Sequence, residues 1–183
     1  VFKLKWDLDQ FKGMLASNSE IAKGFFFIDD YPEEAVNILT SRIELTDTDG
    51  KAVTGVSVRT YANVSEAPEL VRSALTKWGV KPTGAFQVFS ADNAMDFYTR
   101  YVQTGKSIII ENPMMVKDEL KDTGGSYKNT AYQLEFGNVN ATETVGNEVP
   151  KVEPVKENLN GEGVNINGTV REIGMVNYYT LKW

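Results

Sequence analysis

Residues 24–30 read Gly-Phe-Phe-Phe-Ile-Asp-Asp, and no other segment restricts the fold so tightly. The run is apolar without interruption, too short for a helix and rich in aromatic side chains, which identifies a buried strand. Pro32 blocks its continuation. A second strand pattern opens the chain, where Phe2, Leu4, Trp6 and Leu8 alternate with Lys3, Lys5, Asp7 and Asp9. Residues 13–19 read as a polar loop or short helix. Segments 38–46 and 52–60 flank Asp47-Thr48-Asp49-Gly50, a hairpin-turn signal. Two helices follow. Leu70, Val71, Ala74, Leu75 and Trp78 share one face of 65–78, closed by Gly79; Ala94, Phe97, Tyr98, Tyr101 and Val102 share one face of 92–102, closed by Gly105. Strand patterns at 85–90, 106–111, 114–119, 126–136 and 142–149 complete a chain that is mostly β with two helices inserted near the middle.

The texture changes at Pro150. Pro150-Lys151-Val152-Glu153-Pro154 is a Pro-spaced linker, followed by Gly161, Gly163 and Gly168 and a strand pattern over 169–183. The tail then repeats the head. Tyr179-Thr180-Leu181-Lys182-Trp183 echoes Phe2-Lys3-Leu4-Lys5-Trp6. A chain that starts at Val1 and carries this echo reads as about one period of a tandem array, cut out of phase. Residues 1–150 are then a domain lacking its opening strands. Residues 151–183 are the linker and opening strands of the next copy.

The chain of 183 residues has neither cysteine nor histidine. That excludes disulfides, thiolate zinc sites, Ser-His and Cys-His catalysis and a histidine switch. Lys plus Arg number 19 against 25 Asp plus Glu, a net charge of −6, which argues against a nucleic-acid surface or an anionic membrane surface. No run approaches the ~18 apolar residues of a membrane span. What remains is carboxylate, lysine, amide and hydroxyl chemistry. Asp47 and Asp49 resemble a fragment of a calcium loop, but Val58 stands where its closing acid belongs. The turn reading is therefore preferred, and structural calcium stays open without a sequence signal. Asp30, Glu33 and Glu34 read as a solvated strand end. Asp29 differs, because it continues the apolar run directly and burial would raise its pKa. Tyr61, Trp78, Tyr98 and Tyr101 read mostly as core. Asn129 alternates with Tyr127 and Ala131 and so faces a core, where an amide ordinarily just satisfies hydrogen bonds.

Trp6-Asp7-Leu8-Asp9-Gln10, the segment from Gly24 to Ala35, Gly84-Ala85-Phe86-Gln87-Val88-Phe89 and the segment from Gly124 to Gln133 are long, specific motifs. Together they resemble the C-terminal region of the streptococcal antigen I/II family, its second domain above all. Domains of enterococcal aggregation substances are related. The resemblance implies a variant (DE-variant) immunoglobulin-like β-sandwich with two inserted helices. It implies a place in the stalk of a Gram-positive, cell-wall-anchored adhesin outside the cell, with no cofactor. It also implies an autocatalytic Lys–Asn isopeptide bond promoted by an acid. By motif, Asn129 takes the place of the crosslinked amide and Asp29 that of the acid. Lys156, in Pro154-Val155-Lys156, takes that of the lysine, with Lys151 as runner-up. Such a bond suits a thiol-free chain: a lysine taken into an apolar core becomes a nucleophile, a protonated acid polarises the amide, and the product is neutral.

Two departures stand out. In the family the lysine precedes the asparagine, whereas Lys156 follows Asn129. Completion would come in cis or by strand exchange between chains. The family's partner-bacterium motif has no good match near residues 70–81. Expected partners are neighbouring repeats and a host or bacterial surface glycoprotein. The competing readings are a carbohydrate-binding module, which needs an exposed aromatic patch, and a carboxylate glycosidase, which needs two acids facing across a deep cleft.

Overall fold

The computed structural model describes residues 1–149 (backbone alone at 121 and 122) and the backbone of 155–159 and 178–182. The strands are β1 (Phe2–Trp6), β2 (Phe25–Asp30), β3 (Val36–Ile38), β4 (Glu44–Asp47), β5 (Val56–Tyr61), β6 (Phe86–Ala91), β7 (Ile108–Asn112), β8 (Met114–Val116), β9 (Gly125–Glu135), β10 (Asn138–Val149), β11 (Val155–Leu159) and β12 (Tyr178–Lys182). The α-helices are α1 (Asn18–Ile21), α2 (Glu69–Trp78), α3 (Ala94–Phe97) and α4 (Asp118–Thr123). The chain divides into two compact units. One holds Val1–Lys117 with Ser126–Glu148, and the other holds Asp118–Gly125 with Val149–Trp183.

In the first unit a five-stranded sheet runs β10-β9-β2-β6-β5 and a three-stranded sheet runs β1-β7-β4. The buried run is the central strand β2, and its two faces serve two cores. Phe25 and Phe27 join Trp6, Leu8, Ile108 and Ile110 of the smaller sheet, together with Phe97, Tyr98 and Tyr101. Phe26 and Ile28 join Phe86, Val88 and Leu134 and meet Val71, Ala74 and Leu75 of α2. Three layers result: helix, large sheet, small sheet. Strand alternation explains the division, since successive side chains leave opposite faces. Gly24 opens β2 at φ +83, where a Cβ would lie 2.7 Å from the Phe26 ring, so glycine alone suits this turn.

Both expected helices are present, with shorter bounds. A 3-10 turn (Val64–Glu66) and Pro68 precede α2, and Gly79 ends it in the left-handed conformation at φ 66. After α3 the chain widens into a π turn over Tyr98–Val102, which buries Tyr98, Tyr101 and Val102 together. Leu70 and Trp78 of α2 stay exposed, so the buried stripe is narrower than the apolar pattern.

Four expectations need correction. The 47–50 turn forms, with Gly50 N–H donating to Asp47 O, and its arms pair briefly through a Thr46–Ala52 bridge, but the pairing does not extend to β5. β4 joins β7 and β5 joins β6, in different sheets. The strand read over 38–46 is broken by a 3-10 turn at Thr40–Arg42, and that over 114–119 stops at Val116, with α4 starting at Asp118. Asp30 is buried rather than solvated, because the Thr83 N–H reaches both of its carboxylate oxygens.

Candidate functional site: a buried Asp-Asn-Gln cluster

The inter-sheet face of β2 ends in polar residues. Asp29 stands opposite Ala131 of β9 on one side and Gln87 of β6 on the other. Asn129 lies two residues from Ala131 on the same face of β9. From the small sheet, Asn112 continues the inward alternation of Ile108 and Ile110. Its Nδ2 donates to Asp29 Oδ2 at 2.6 Å and to Gln87 Oε1 at 2.6 Å. Asp29, Gln87 and Asn112 are fully buried, and Asn129 is 3% exposed.

This cluster is under-satisfied. Asp29 Oδ1, Gln87 Nε2, Asn112 Oδ1 and both side-chain polar atoms of Asn129 have no hydrogen-bond partner among the described residues. Each such atom costs roughly 1–3 kcal/mol in a dry interior, and native cores hold few of them. Burial pushes the Asp29 carboxyl up to about 6. Asn112 and Asn129 pull the other way, and the charge of Asp30 adds to the rise. Asn129 stands close enough to act on that carboxyl although no hydrogen bond of regular geometry joins them. An acid proton on Oδ1, donated to the Asn129 oxygen, would satisfy both orphan atoms and polarise the amide. The arrangement is therefore suited to activating an amide for attack.

Beside the cluster a groove of about 420 Å³ runs between β1 and the β9–β10 pair, with Leu4, Asn129, Ala131 and Gln133 among its lining. Asn129 thus borders an opening wide enough for another side chain.

A second polar cluster lies further along β9. Glu135 is fully buried. Its Oε1 accepts from Trp6 Nε1 at 2.7 Å and Gln133 Nε2 at 3.1 Å, and its Oε2 accepts from Asn140 Nδ2 at 2.7 Å. Burial raises its pKa to about 7 against the lowering by these donors. Sequence reasoning missed Glu135, Gln87 and Asn112. The alternation that placed Asn129 inward continues through 131 and 133 to 135 and carried the signal for Glu135.

The other sequence candidates have structural tasks. Asp30 holds Thr83, and Glu33 accepts from Ala85 N–H at 3.2 Å. Gly84 is required there, since a Cβ would lie 1.5 Å from Glu33 Oε1. Asp47 Oδ1 accepts from the N–H groups of Asp49 and Lys51, and Lys106 Nζ sits 3.6 Å from Asp47 and 2.8 Å from Asp49. A lysine ammonium, not a metal ion, spans the two acids. Among the described residues no group of three or more acids is placed to hold a metal ion, and no helix is long and apolar enough to cross a membrane. Tyr98 and Tyr101 are core, as expected, while Trp78 is 52% exposed. Lys156 lies on β11, opposite Leu181 of β12. Lys151, with the rest of 150–154, and most of the strand read over 169–183 lie outside the described residues.

Residues 1–149 match the family described as the cell surface antigen I/II C2 terminal domain. Among solved structures, the chain is similar to the C-terminal domain of the Streptococcus pyogenes antigen I/II-family protein AspA, at 28% identity and a TM-score of 0.76, covering 98% of this chain and 54% of that one. It is also similar to the C-terminal domain of the Streptococcus agalactiae antigen I/II polypeptide BspA, at 27% identity and a TM-score of 0.69, covering 98% and 51%. The chain spans about half the length of these structures. Their fold is the immunoglobulin-like sandwich expected here, mainly β with helices inserted. The chain belongs to the antigen I/II family of cell-surface proteins, as a C2 terminal domain.

Proposed function

We propose that the chain is a stalk and adhesion module of a Gram-positive, cell-wall-anchored adhesin, and that its core is closed by an amide bond between Lys156 Nζ and Asn129 Cγ, promoted by Asp29. The observation that carries the bond is Asn129 itself: buried, without a partner at either polar atom among the described residues, beside an acid whose pKa is raised to about 6, on the wall of a groove. Protonated Asp29 polarises the Asn129 carbonyl, neutral Lys156 attacks Cγ, and Asp29 relays a lysine proton to the departing nitrogen. Atoms balance with loss of one ammonia. One neutral secondary amide replaces an amine and an orphan primary amide, and the departing ammonia gives the reaction its direction. In a chain without thiols the bond takes the part of a disulfide. A surface glycoprotein of host or bacterial origin is the binding partner that the family resemblance implies.

Intact-mass spectrometry of the denatured chain tests the bond. The expected result is a deficit of one ammonia per bond in wild type and none in Asp29→Ala or Lys156→Ala. A full-mass wild-type chain overturns it.

A further inference from the structure

We infer that a cleft on the outer face of the five-stranded sheet binds a lysine- and arginine-rich segment of a partner protein. The cleft lies on the opposite face of that sheet from Asn129, and the inference stands apart from the Lys–Asn reading above.

Helix α2 covers the outer face only in part. Phe26 and Ile28 of β2 and Leu134 of β9 belong to the core beneath it. Alternation carries the same face on to Asp30 of β2 and to Tyr132 and Thr130 of β9, and Asp30 stands opposite Thr130. The helix ends at Gly79. The loop after it is pinned beside the sheet by the Thr83 N–H, which donates to both carboxylate oxygens of Asp30. What the helix leaves uncovered is a cleft of about 820 Å³. Asp30, Thr130 and Tyr132 line it from the sheet, Tyr31, Glu33 and Glu34 from the segment after β2, and Glu148 from the end of β10. All of these residues belong to the first compact unit, so the cleft is built within it.

Its chemistry is one-sided. The carboxylates of Asp30, Glu33, Glu34 and Glu148 line it together with only two lysines, Lys81 and Lys128. Among the described residues none of the four acids has an ion pair. Burial pushes Asp30 up to about 6 against the lowering by the Thr83 N–H, and the charges of Glu33 and Glu34 add to the rise. Burial also raises Tyr31 and Tyr132, the first helped by the charges of Glu33 and Asp29 and the second by that of Asp30. A cation set among these groups relieves the repulsion they impose on one another.

Tyr31 points to the same ligand. Its side chain is 8% exposed, and its hydroxyl has no hydrogen-bond partner among the described residues. The oxygen is not one of the unpartnered polar atoms sealed from solvent. The hydroxyl end of an otherwise buried ring therefore opens onto the cleft that Tyr31 lines, where it accepts from an incoming N–H. Partly buried Tyr132 adds an aromatic ring, which attracts a guanidinium or ammonium.

Three properties select the occupant. Carboxylates and phenol oxygens accept hydrogen bonds, so the ligand is rich in donors, as arginine and lysine are. The excess of negative charge turns away phosphates and acidic sugars. Among the described residues no three acids converge as metal ligands. The charge is thus spread along the opening, which suits several cations carried on one chain rather than a single ion. The volume agrees, lying at the upper end of the range for small-ligand sites.

The experiment follows the fluorescence anisotropy of a dye-labelled hexapeptide of alternating arginine and lysine titrated with the 183-residue chain. Saturable binding of one peptide per chain is expected, weakening as salt is raised. Glu34 and Glu148 are exposed and make no hydrogen bond among the described residues, so their replacement leaves the fold intact. Glu34→Gln with Glu148→Gln weakens binding by roughly five- to tenfold, whereas Glu44→Gln with Asp92→Asn, which removes the same charge elsewhere, changes it by no more than about twofold. Tyr31→Phe, which removes only the hydroxyl, weakens it by roughly three- to tenfold. Equal losses in the two double variants reduce the binding to general charge attraction and overturn the inference. So does saturable binding of labelled maltohexaose without binding of the peptide, displacement of the peptide by one calcium ion per chain, or no peptide binding at low salt. The titrations are read alike in wild type and in Lys156→Ala, so the fate of the crosslink does not decide them.

Discussion

Asp29 and Glu135 put two acids on one face between the sheets, and burial raises both. Raised acid pKa values mean that the folded chain binds more protons than the unfolded chain between the two values. Stability is thus highest below pH 4 to 4.5 with respect to these groups, and is lost as pH rises through about 6 for Asp29 and about 7 for Glu135. Each shift is worth on the order of 3 kcal/mol. Urea midpoints for Lys156→Ala, which has no crosslink, should therefore fall between pH 5 and pH 8, and Glu135→Gln should flatten the upper part of that fall. The same proton would govern the proposed crosslink. In wild type the rate of ammonia loss should decline above pH 6 as Asp29 ionises, a trend visible in mass spectra of timed samples. Sequence legibility at this scale is uneven. Asp29 follows a run that can only be interior, and Asn129 follows from alternation. Asn112 and Gln87 were not legible, because what marks them is a contact across sheets between residues 25 positions apart. Asp30 was misread for the same reason, its partner being a distant loop N–H.

The elements were easier to read than their pairing. A hairpin turn is a local event, and Asp47-Thr48-Asp49-Gly50 forms it as read. Which strand then lies beside β4 is decided by burial: Leu45 stands opposite Ile110 of β7, and Val58 opposite Phe89 of β6. Those choices bring Leu45 of β4 and Val56 and Val58 of β5 against the same aromatic core from two different sheets, which composition around the turn does not reveal. Helix α2 gives a sharp check of the layer it supplies. Leu75 is 1% exposed and Leu70 is 43% exposed. Leu75→Ala should cost about 2–4 kcal/mol, while Leu70→Ala should change stability by no more than about 0.5 kcal/mol, both read from denaturant midpoints at constant slope.

At the scale of the whole molecule, the Lys156–Asn129 bond proposed above should place the denaturant midpoint of wild type above that of Lys156→Ala. Thiol reductants should leave both midpoints unchanged, as there is no cysteine to reduce. The positions of Asn129 and Lys156 along the sequence give the proposed bond a mechanical consequence. Formed within one chain, it would take residues 130–155 out of the load path, so that a pull along the chain could not draw out that segment, ~90 Å when straight.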